Sequence, residues 1–288
     1  MSLKYEQVII IGSGALAANC ILQLHRFDVP LIIFDSNTTQ LSTLANVANE
    51  RGIKYINQEK EETFSELVAL EKKSILLLLG CNYIIPKEVI HNPNLSIINY
   101  HNSLLPKHPG RNAEAWAIFD QDRYTGITWH YVDDRIDAGD IIFQREISIK
   151  ESDSALTLLK LQNELAFESF KLLVNDLLAG TLSRFKQNMD LRGKLHLSHE
   201  VPNDGFIDPT WNIGKIKAFL RAMDYGALRR MGQPKIYLNN KVFTWKKTSF
   251  ADDVTGSDNI TFNQDENHIV INKGGKAIKL IDVLTNGG

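Results

Sequence analysis

Cysteine is scarce in this chain, and neither a strong net charge nor a long apolar run is present. The two cysteines, Cys20 and Cys81, stand in apolar surroundings without a CxxC pair, which predicts buried thiols in a reducing compartment. A net charge of −2 over 288 residues gives no general attraction to nucleic acid or to an anionic membrane. The longest apolar run, SILLLLGC, is far shorter than the ~20 residues of a membrane span. The first residues, MSLKYEQ, lack the apolar stretch of a signal peptide, so we expect a cytoplasmic protein.

Strand and helix patterns alternate through the first half of the chain. The strand patterns lie at 7–12, 30–35, 53–56, 74–80 and 95–100, and the helical patterns at 15–27, 39–52 and 62–73. This alternation predicts an α/β fold with a Rossmann-like, mostly parallel sheet and helices on both faces. Strand patterns at 125–134 and 139–149 predict an antiparallel pair added to that sheet, and residues 154–180 predict one long helix.

The last third of the chain has a different pattern. Residues 181–204 are polar and weakly patterned, and a helix is predicted at 211–223. Short strands with turn signals at 239–240 and 274–275 then predict a small C-terminal β-barrel-like (OB-like) domain. The expected domains are therefore 1–182 and 205–288, joined by a linker at 183–204.

A glycine-rich turn, Gly12-Ser13-Gly14, follows the first strand, and Asp35 ends the second. This arrangement matches the dinucleotide fingerprint, and free N–H groups at a helix N-terminus attract phosphate. Three interpretations stay open, namely an NAD site, a site for an anion of the substrate, and a tight turn without a ligand.

Asn99 and His101 stand at the end of the apolar strand pattern LSIIN. Residues i and i+2 of a strand face the same side, and ligands of open α/β sheets bind outside the carboxyl ends of the strands. An amide that donates to an oxyanion and an imidazole that moves a proton suit acyl transfer. A structural, hydrogen-bonded histidine is the alternative interpretation.

Such a histidine needs a carboxylate to orient it. The stretch DDRIDAGDII offers Asp133, Asp134, Asp137 and Asp140 after a strand that is expected to lie beside that of Asn99. We favour Asp137, because it stands between an apolar residue and Ala-Gly, as in a tight turn beside a ligand. Spacing alone leaves the choice open.

Three motifs in order, NYHNSLLPKHPG, TGITWH and DAGDIIFQ, resemble the formyltransferase family that uses 10-formyltetrahydrofolate. The resemblance implies that this folate is the formyl donor, that Asn99, His101 and Asp137 are catalytic, and that no metal is needed. It also implies a set of supporting positions, which are Ser103, Gly110, Thr128 and His130. The residues that the resemblance assigns to the folate pocket are Asn82, Tyr83, Ile84, Ile85, Leu104, Val132, Asp133, Asp134 and Arg135.

The acceptor amine is less well defined. The sequence pattern RAMDYG…GQPKI resembles that of formylating domains in peptide-synthetase systems. This resemblance favours a small-molecule or carrier-bound amine in natural-product metabolism as the acceptor. An amino-deoxy sugar nucleotide is the first alternative. Methionyl-tRNA is disfavoured, because FDSNTTQLSTLANV after the second strand has no Lys or Arg to contact phosphates. From 205 to 288, 12 Lys/Arg against 8 Asp/Glu suit an acidic partner or an ordinary solvated surface.

Two hypotheses from other functional classes also stay open, namely an NAD-dependent enzyme and a folate-binding module without catalysis. His196 and His199 form an isolated H-x-x-H in a polar segment without a nearby cysteine or acidic cage, so we expect both to be surface residues.

Overall fold

A computed structural model describes residues 3–36, 42–252, 255 and 257–286. The chain divides into two compact units, each built from three segments. The first unit comprises Met1–Arg111, Thr125–Ile147 and Lys160–Leu195, and the second comprises Asn112–Tyr124, Ser148–Leu159 and His196–Gly288. The expected domain boundaries remain a prediction, because a compact unit need not be an independently folding domain.

The helices and strands of the described residues are numbered in chain order. The helices are α1 (Gly14–Leu24), α2 (Thr43–Arg51), α3 (Lys60–Val68), α4 (Lys87–Ile90), α5 (Ala113–Phe119), α6 (Ala155–Ala179) and α7 (Ile213–Met223). The strands of the first sheet are β1 (Gln7–Gly12), β2 (Leu31–Asp35), β3 (Lys54–Ile56), β4 (Ser74–Leu79), β5 (Leu95–His101), β6 (Tyr124–Tyr131) and β7 (Ile141–Ser148). The remaining strands are β8 (Phe206–Ile207), β9 (Lys235–Leu238), β10 (Lys241–Thr244), β11 (Lys247–Ala251), β12 (Asn259–Asn263), β13 (His268–Lys273), β14 (Lys276–Ile281) and β15 (Leu284–Asn286).

The first unit is built on a seven-stranded sheet of order β3-β2-β1-β4-β5-β6-β7. The strands from β3 to β5 pair in parallel, and β6 runs antiparallel to β5. The prediction of a mostly parallel α/β sheet is confirmed, and the edge beyond β5 is formed by the antiparallel β6 and then by β7.

Both faces of this sheet are buried, because side chains of each strand alternate between two core clusters. On β1, Val8 and Ile10 belong to the first cluster and Ile9 and Ile11 to the second. The first cluster also contains residues of α1, α2 and α6, and the second contains Leu67 of α3 and Val89 of α4. Strands buried on both faces read as continuous apolar runs, which explains why the sequence located them closely.

Helix α3 ends earlier than its predicted limit at residue 73. The Asn92 side-chain amide donates to the carbonyls of Leu67, Val68 and Leu70, at 2.9, 3.3 and 3.0 Å. These carbonyls lie at the end of the helix, where no further helical N–H is available, so the distant amide caps it. The start of the predicted helix at 39–52 lies partly outside the described residues, and α2 begins at Thr43.

Helix α5 was not predicted from the sequence. Six of its seven residues, from Ala113 to Ile118, are buried. A helix that is buried on all sides has no polar stripe, so it lacks the periodicity by which an amphipathic helix is recognised.

In the second unit, β8 and the strands that follow α7 form two separate four-stranded sheets, of order β15-β10-β9-β8 and β11-β14-β13-β12. Neighbouring strands of these two sheets pair antiparallel, except for β8 with β9, which pair in parallel. The predicted antiparallel strands are present, but an OB-like barrel is not confirmed. Within the described residues, no helix combines the length and the apolar character needed to cross a bilayer.

His196 is a correction to the sequence analysis. It is buried, and its ring stacks on Trp116 with centroids 4.1 Å apart, whereas His199 is exposed as expected. The stacking partner stands far away in the sequence, so the polar neighbours of His196 gave no indication of its burial. In the part of the chain that the structure describes, neither histidine belongs to a group of metal ligands.

Candidate active site

Asn99 and His101 continue a row of side chains on one face of β5. Ile97, two residues before Asn99, belongs to the second core cluster. On the neighbouring strand, β6, His130 pairs with Asn99 and Thr128 pairs with His101. The apolar row thus becomes polar at the carboxyl end of β5, and two strands contribute side chains to the same place.

Asp137 completes this group, which we call the polar cluster (Asn99, His101, His130 and Asp137). Its Oδ2 accepts a hydrogen bond from the backbone N–H of Gly110 at 2.7 Å and lies 3.6 Å from His101 Nδ1. Its Oδ1 lies 3.4 Å from Asn99 Nδ2 and 3.6 Å from His130 Nε2. The Asp137 side chain is only 9% exposed, so these contacts form in a largely desolvated setting.

The other three candidate carboxylates have partners outside this cluster. These partners are the backbone N–H of Arg135 for Asp133, His91 for Asp134, and Arg184 and Lys186 for Asp140. Geometry therefore selects Asp137 from a group of carboxylates that spacing alone could not separate.

The tautomer of His101 follows from its surroundings. Its Nε2 lies 2.9 Å from the backbone carbonyl of His108, which can only accept, so Nε2 carries the hydrogen. In the neutral ring the lone pair is then on Nδ1, on the side of Asp137.

His130 is held in the opposite tautomer. Its Nδ1 lies 2.7 Å from the carbonyl of Tyr131 and therefore donates, which leaves the lone pair on Nε2. Asn99 Nδ2, 3.1 Å from that Nε2, donates to it. The second N–H of Asn99 has only the long contact to Asp137, so it is the donor that a substrate oxygen can use.

Burial and charge set the protonation states of this cluster. Burial lowers the pKa of His101, although the Asp137 carboxylate acts in the opposite direction. Burial alone would raise the pKa of Asp137, but the protonated forms of the facing His101 and His130, together with the N–H of Gly110, outweigh it and hold the pKa well below its usual range. A neutral imidazole thus faces an ionised carboxylate, and a proton that arrives on the ring is stabilised at once.

Two further predicted positions, Ser103 and Thr128, fasten the loop that follows β5. Thr128 Oγ1 donates to the carbonyl of Ser103 at 2.6 Å and accepts from the N–H of Leu105 at 3.2 Å and from Gln144 Nε2 at 2.9 Å. Ser103 Oγ donates to the carbonyl of Lys107 at 2.6 Å. These residues support the loop and do not themselves lie in the polar cluster.

The segment assigned to the folate pocket forms an irregular loop, residues 81–86, after β4. Ile84 presents an apolar side chain that is 74% exposed, whereas Ile85 is buried. Tyr83 contacts Phe64 edge to face, with centroids 5.9 Å apart. Among the described residues, the N–H groups of Ile84 and Ile85 donate no hydrogen bond. The loop therefore combines free backbone donors with exposed apolar surface.

Arg111 also contacts this loop, although it was not among the residues predicted from the sequence. Its guanidinium donates to the carbonyl of Cys81 at 3.2 Å and to Oδ1 of Asn82. The available signal was a cation directly after the glycine of the HPG motif. Burial raises the pKa of Cys81 to about 11, so this thiol stays protonated and is not a nucleophile.

The second half of the expected pocket is only partly assembled. Val132 packs against the same core cluster as Tyr83 and Ile85. Asp134 and Arg135 are exposed, and Leu104 packs over Gly126 of β6, where an added Cβ would lie 2.6 Å from it. Their assignment to a folate pocket remains a prediction.

Close packing against β4 explains the glycine at the first position of the turn. A Cβ on Gly12 would lie 2.2 Å from the carbonyl oxygen of Leu79 on β4, and the N–H of Ser13 donates to that oxygen at 3.0 Å. Gly14 begins α1 with φ +77°. A tight turn accounts for both glycines, and an anion at the N-terminus of α1 remains untested.

Asp35 has internal partners. Tyr55 Oη donates to its carboxylate at 3.0 Å, and Ser42 Oγ donates to the same oxygen. The carboxylate that would bind a ribose in the NAD interpretation is therefore engaged within the fold.

Comparisons with known proteins relate this chain to formyltransferases. Over 162 residues, 56% of this chain, the sequence is 31% identical to a GDP-perosamine N-formyltransferase of Brucella melitensis and spans 61% of it. Over 143 residues, 49% of this chain, it is 35% identical to a methionyl-tRNA formyltransferase of Listeria innocua and spans 46% of it. The chain thus spans about half the length of these curated relatives.

A solved structure extends the likeness in fold. The N-formyltransferase from Helicobacter canadensis, in complex with folinic acid and dTDP-3-aminofucose, matches with a TM-score of 0.76 at 20% identity, over 96% of this chain and 98% of that one. The family model described as formyl transferase matches residues 22–176, which is more than half of this chain. The chain therefore belongs to the formyl transferase family.

Proposed function

We propose that this protein is an N-formyltransferase that moves a formyl group from 10-formyltetrahydrofolate to the primary amine of a nucleotide-linked amino sugar. The observation that carries the proposal is the polar cluster, in which Asn99, His101 and Asp137 converge in a buried setting. An amide donor, a neutral imidazole and an ionised carboxylate are the groups that acyl transfer to an amine requires.

The loop at residues 81–86 suits the proposed donor. A pterin is planar and carries polar atoms along its edge, so it needs apolar surface and backbone donors together. The exposed side chain of Ile84 and the free N–H groups of Ile84 and Ile85 offer both. Bound there, 10-formyltetrahydrofolate would supply an electrophilic formyl carbon.

Asn99 is the proposed oxyanion donor. One N–H of its amide is used by His130, and the other is available because its contact to Asp137 is 3.4 Å long. A single preorganised donor of this kind contributes typically ~3–4 kcal/mol to the stabilisation of the transition state.

His101 is the proposed proton acceptor, and Asp137 stabilises its charged form. The lone pair of His101 Nδ1 accepts the proton that the attacking amine loses, and Asp137 Oδ2, 3.6 Å away, stabilises the imidazolium. When the bond between the formyl carbon and N10 breaks, the ring returns this proton to N10, and tetrahydrofolate leaves. The carbonyl of His108 keeps Nε2 protonated, so the ring has only one nitrogen with which to accept.

The choice of acceptor revises the preference drawn from the sequence, which was a carrier-bound amine. The GDP-perosamine N-formyltransferase supports an amino-sugar acceptor, because this chain covers a larger share of its length than of the length of the methionyl-tRNA formyltransferase. This acceptor is further supported by the Helicobacter enzyme, whose structure holds an amino-sugar nucleotide and matches nearly the whole chain. Methionyl-tRNA is the second candidate, because the Listeria relative has the higher identity of the two.

The direct test incubates the protein with the formyl donor and separate acceptors, namely GDP-perosamine, dTDP-3-aminofucose, methionyl-tRNA and an aminoacylated carrier protein. The products are measured by mass spectrometry. We expect an amino-sugar nucleotide to gain about 28 daltons, the mass of one added CO. The Asp137→Asn variant serves as the inactive control.

Each other outcome contradicts a defined part of the proposal. Formylation of methionyl-tRNA or of the carrier alone would overturn the acceptor class. No product with any acceptor, together with thermal stabilisation by NADH and none by 5-formyltetrahydrofolate, would overturn the reaction itself.

A further inference from the structure

The segment that the sequence analysis treated as a linker holds the loop that carries Asp137. We call residues 185–193 the strap. At its start, Phe185 and Ile141 exchange backbone hydrogen bonds of 2.9 and 2.8 Å. At its end, the N–H of Gly193 donates to the carbonyl of Pro106 at 3.0 Å. The strap is therefore hydrogen-bonded at both ends to other segments of the first unit.

Between these ends, two side chains of the strap donate to the backbone around Asp137. Gln187 is buried, and its Nε2 donates to the carbonyls of Asp137 and Gly139, at 3.1 and 2.8 Å. Arg192 donates through Nη2 to the carbonyl of Ile136 at 2.6 Å and through Nη1 to that of Asp137 at 3.4 Å. The carbonyl of Asp137 thus receives two donors from the strap.

The backbone of Asp137 needs such support. Its φ is +50°, in the left-handed region that residues with a side chain rarely adopt. Close by, a Cβ on Gly139 would lie 1.9 Å from the carbonyl oxygen of Tyr131, so the chain also makes a close approach here. A strained backbone persists only when its surroundings determine it, and the direction of the carboxylate depends on it.

We infer that Gln187 and Arg192 are positioning residues, which hold the backbone of Asp137 so that its carboxylate stays in the polar cluster. This inference rests on the proposed function for its catalytic consequence. Arg192 acts by geometry, because its two N–H groups reach two successive carbonyls. A lysine keeps the charge but cannot make this fork.

The first test compares Arg192→Lys, Arg192→Ala and Gln187→Glu in the full chain. We expect kcat to fall at least tenfold in each, with the KM for either substrate changed by less than threefold. Added guanidinium at millimolar concentration should restore part of kcat in Arg192→Ala and none in Arg192→Lys. Lys186→Ala, an exposed neighbour on the strap, is the matched control and should retain kcat within twofold.

A second measurement does not depend on activity. The His101 ring, which faces Asp137, His130 and His108, is titrated by NMR in each variant and in Asp137→Asn. If the strap positions the carboxylate, Arg192→Ala should lower the pKa of His101 in the same direction as Asp137→Asn does.

These readouts separate the two ideas. An unchanged His101 titration and an unchanged kcat in Arg192→Ala and Gln187→Glu would overturn the positioning role. A parallel loss of kcat and of thermal stability in Arg192→Lys, without rescue in Arg192→Ala, would also overturn it. A shifted titration in a protein that formylates no acceptor would support the strap and overturn only the proposed function.

Discussion

The side-chain nitrogen of Asn99 lies 3.1 Å from Nε2 of His130, 31 residues further along the chain. Because the carbonyl of Tyr131 occupies the other ring nitrogen, Nε2 accepts from the amide. This contact orients the side-chain Nδ2 of Asn99 toward the other residues of the polar cluster. The donor that the proposed reaction needs is therefore oriented by a second histidine, which has no proton to give at that position.

Replacing His130 should release the Asn99 amide. We expect His130→Ala to lower kcat by about 10- to 100-fold, somewhat less than the loss of the oxyanion donor itself. His130→Gln, whose carbonyl can accept from Asn99, should recover part of the rate. Steady-state kinetics of both variants test this, and equal rates for Ala and Gln would contradict the orienting role.

Direct removal of the proposed catalytic groups should have larger effects. We expect Asn99→Ala, His101→Ala and Asp137→Asn each to lower turnover by more than ~100-fold while the fold is retained. The matched control is Asp140→Asn, whose carboxylate is paired with Arg184 and Lys186 outside the cluster. Turnover is measured by formylated product, with circular dichroism as the check on folding. Near-normal turnover of His101→Ala would remove that residue from the mechanism.

The lowered pKa of Asp137 has a consequence for stability. Its pKa in the folded protein lies below that of the unfolded chain, so the unfolded state binds more protons as the pH falls. The stabilisation is complete above the unfolded value of about 3.9 and is lost as the pH falls toward the folded value. The free energy of unfolding, measured by urea denaturation between about pH 5 and 3, should therefore fall more steeply in the native protein than in Asp137→Asn. Parallel slopes would show that the carboxylate is not stabilised in the folded state.

The exposed side chain of Ile84 allows a test of the folate loop. Because Ile84 is 74% exposed, Ile84→Ser should leave the melting temperature unchanged. The KM for the formyl donor should rise up to about tenfold, since ~1.4 kcal/mol of apolar contact would be lost. Leu172→Ser, at a side chain that is 69% exposed on α6, is the matched control. An unchanged KM in Ile84→Ser would place the donor elsewhere.

Much of the first unit could be predicted because its signals are local. A strand buried on both faces is a continuous apolar run, and β1 was located to the residue. Helix α5 could not be found in this way, because a fully buried helix has no amphipathic period. The contacts of the strap could not be predicted, because a polar segment shows no pattern when its hydrogen-bond partners are carbonyls some fifty residues away.

The sequence by itself determined that Asn99 and His101 share a face at the end of a strand, because alternation along a strand is a property of the backbone. It also determined the family, through motifs that stand in a fixed order. Only the tertiary structure decided which of four nearby carboxylates joins them, which ring nitrogen of each histidine carries its hydrogen, and which residues hold Asp137 in a left-handed conformation. These properties depend on the register of β6 against β5 and on hydrogen bonds between distant segments, which no local pattern encodes.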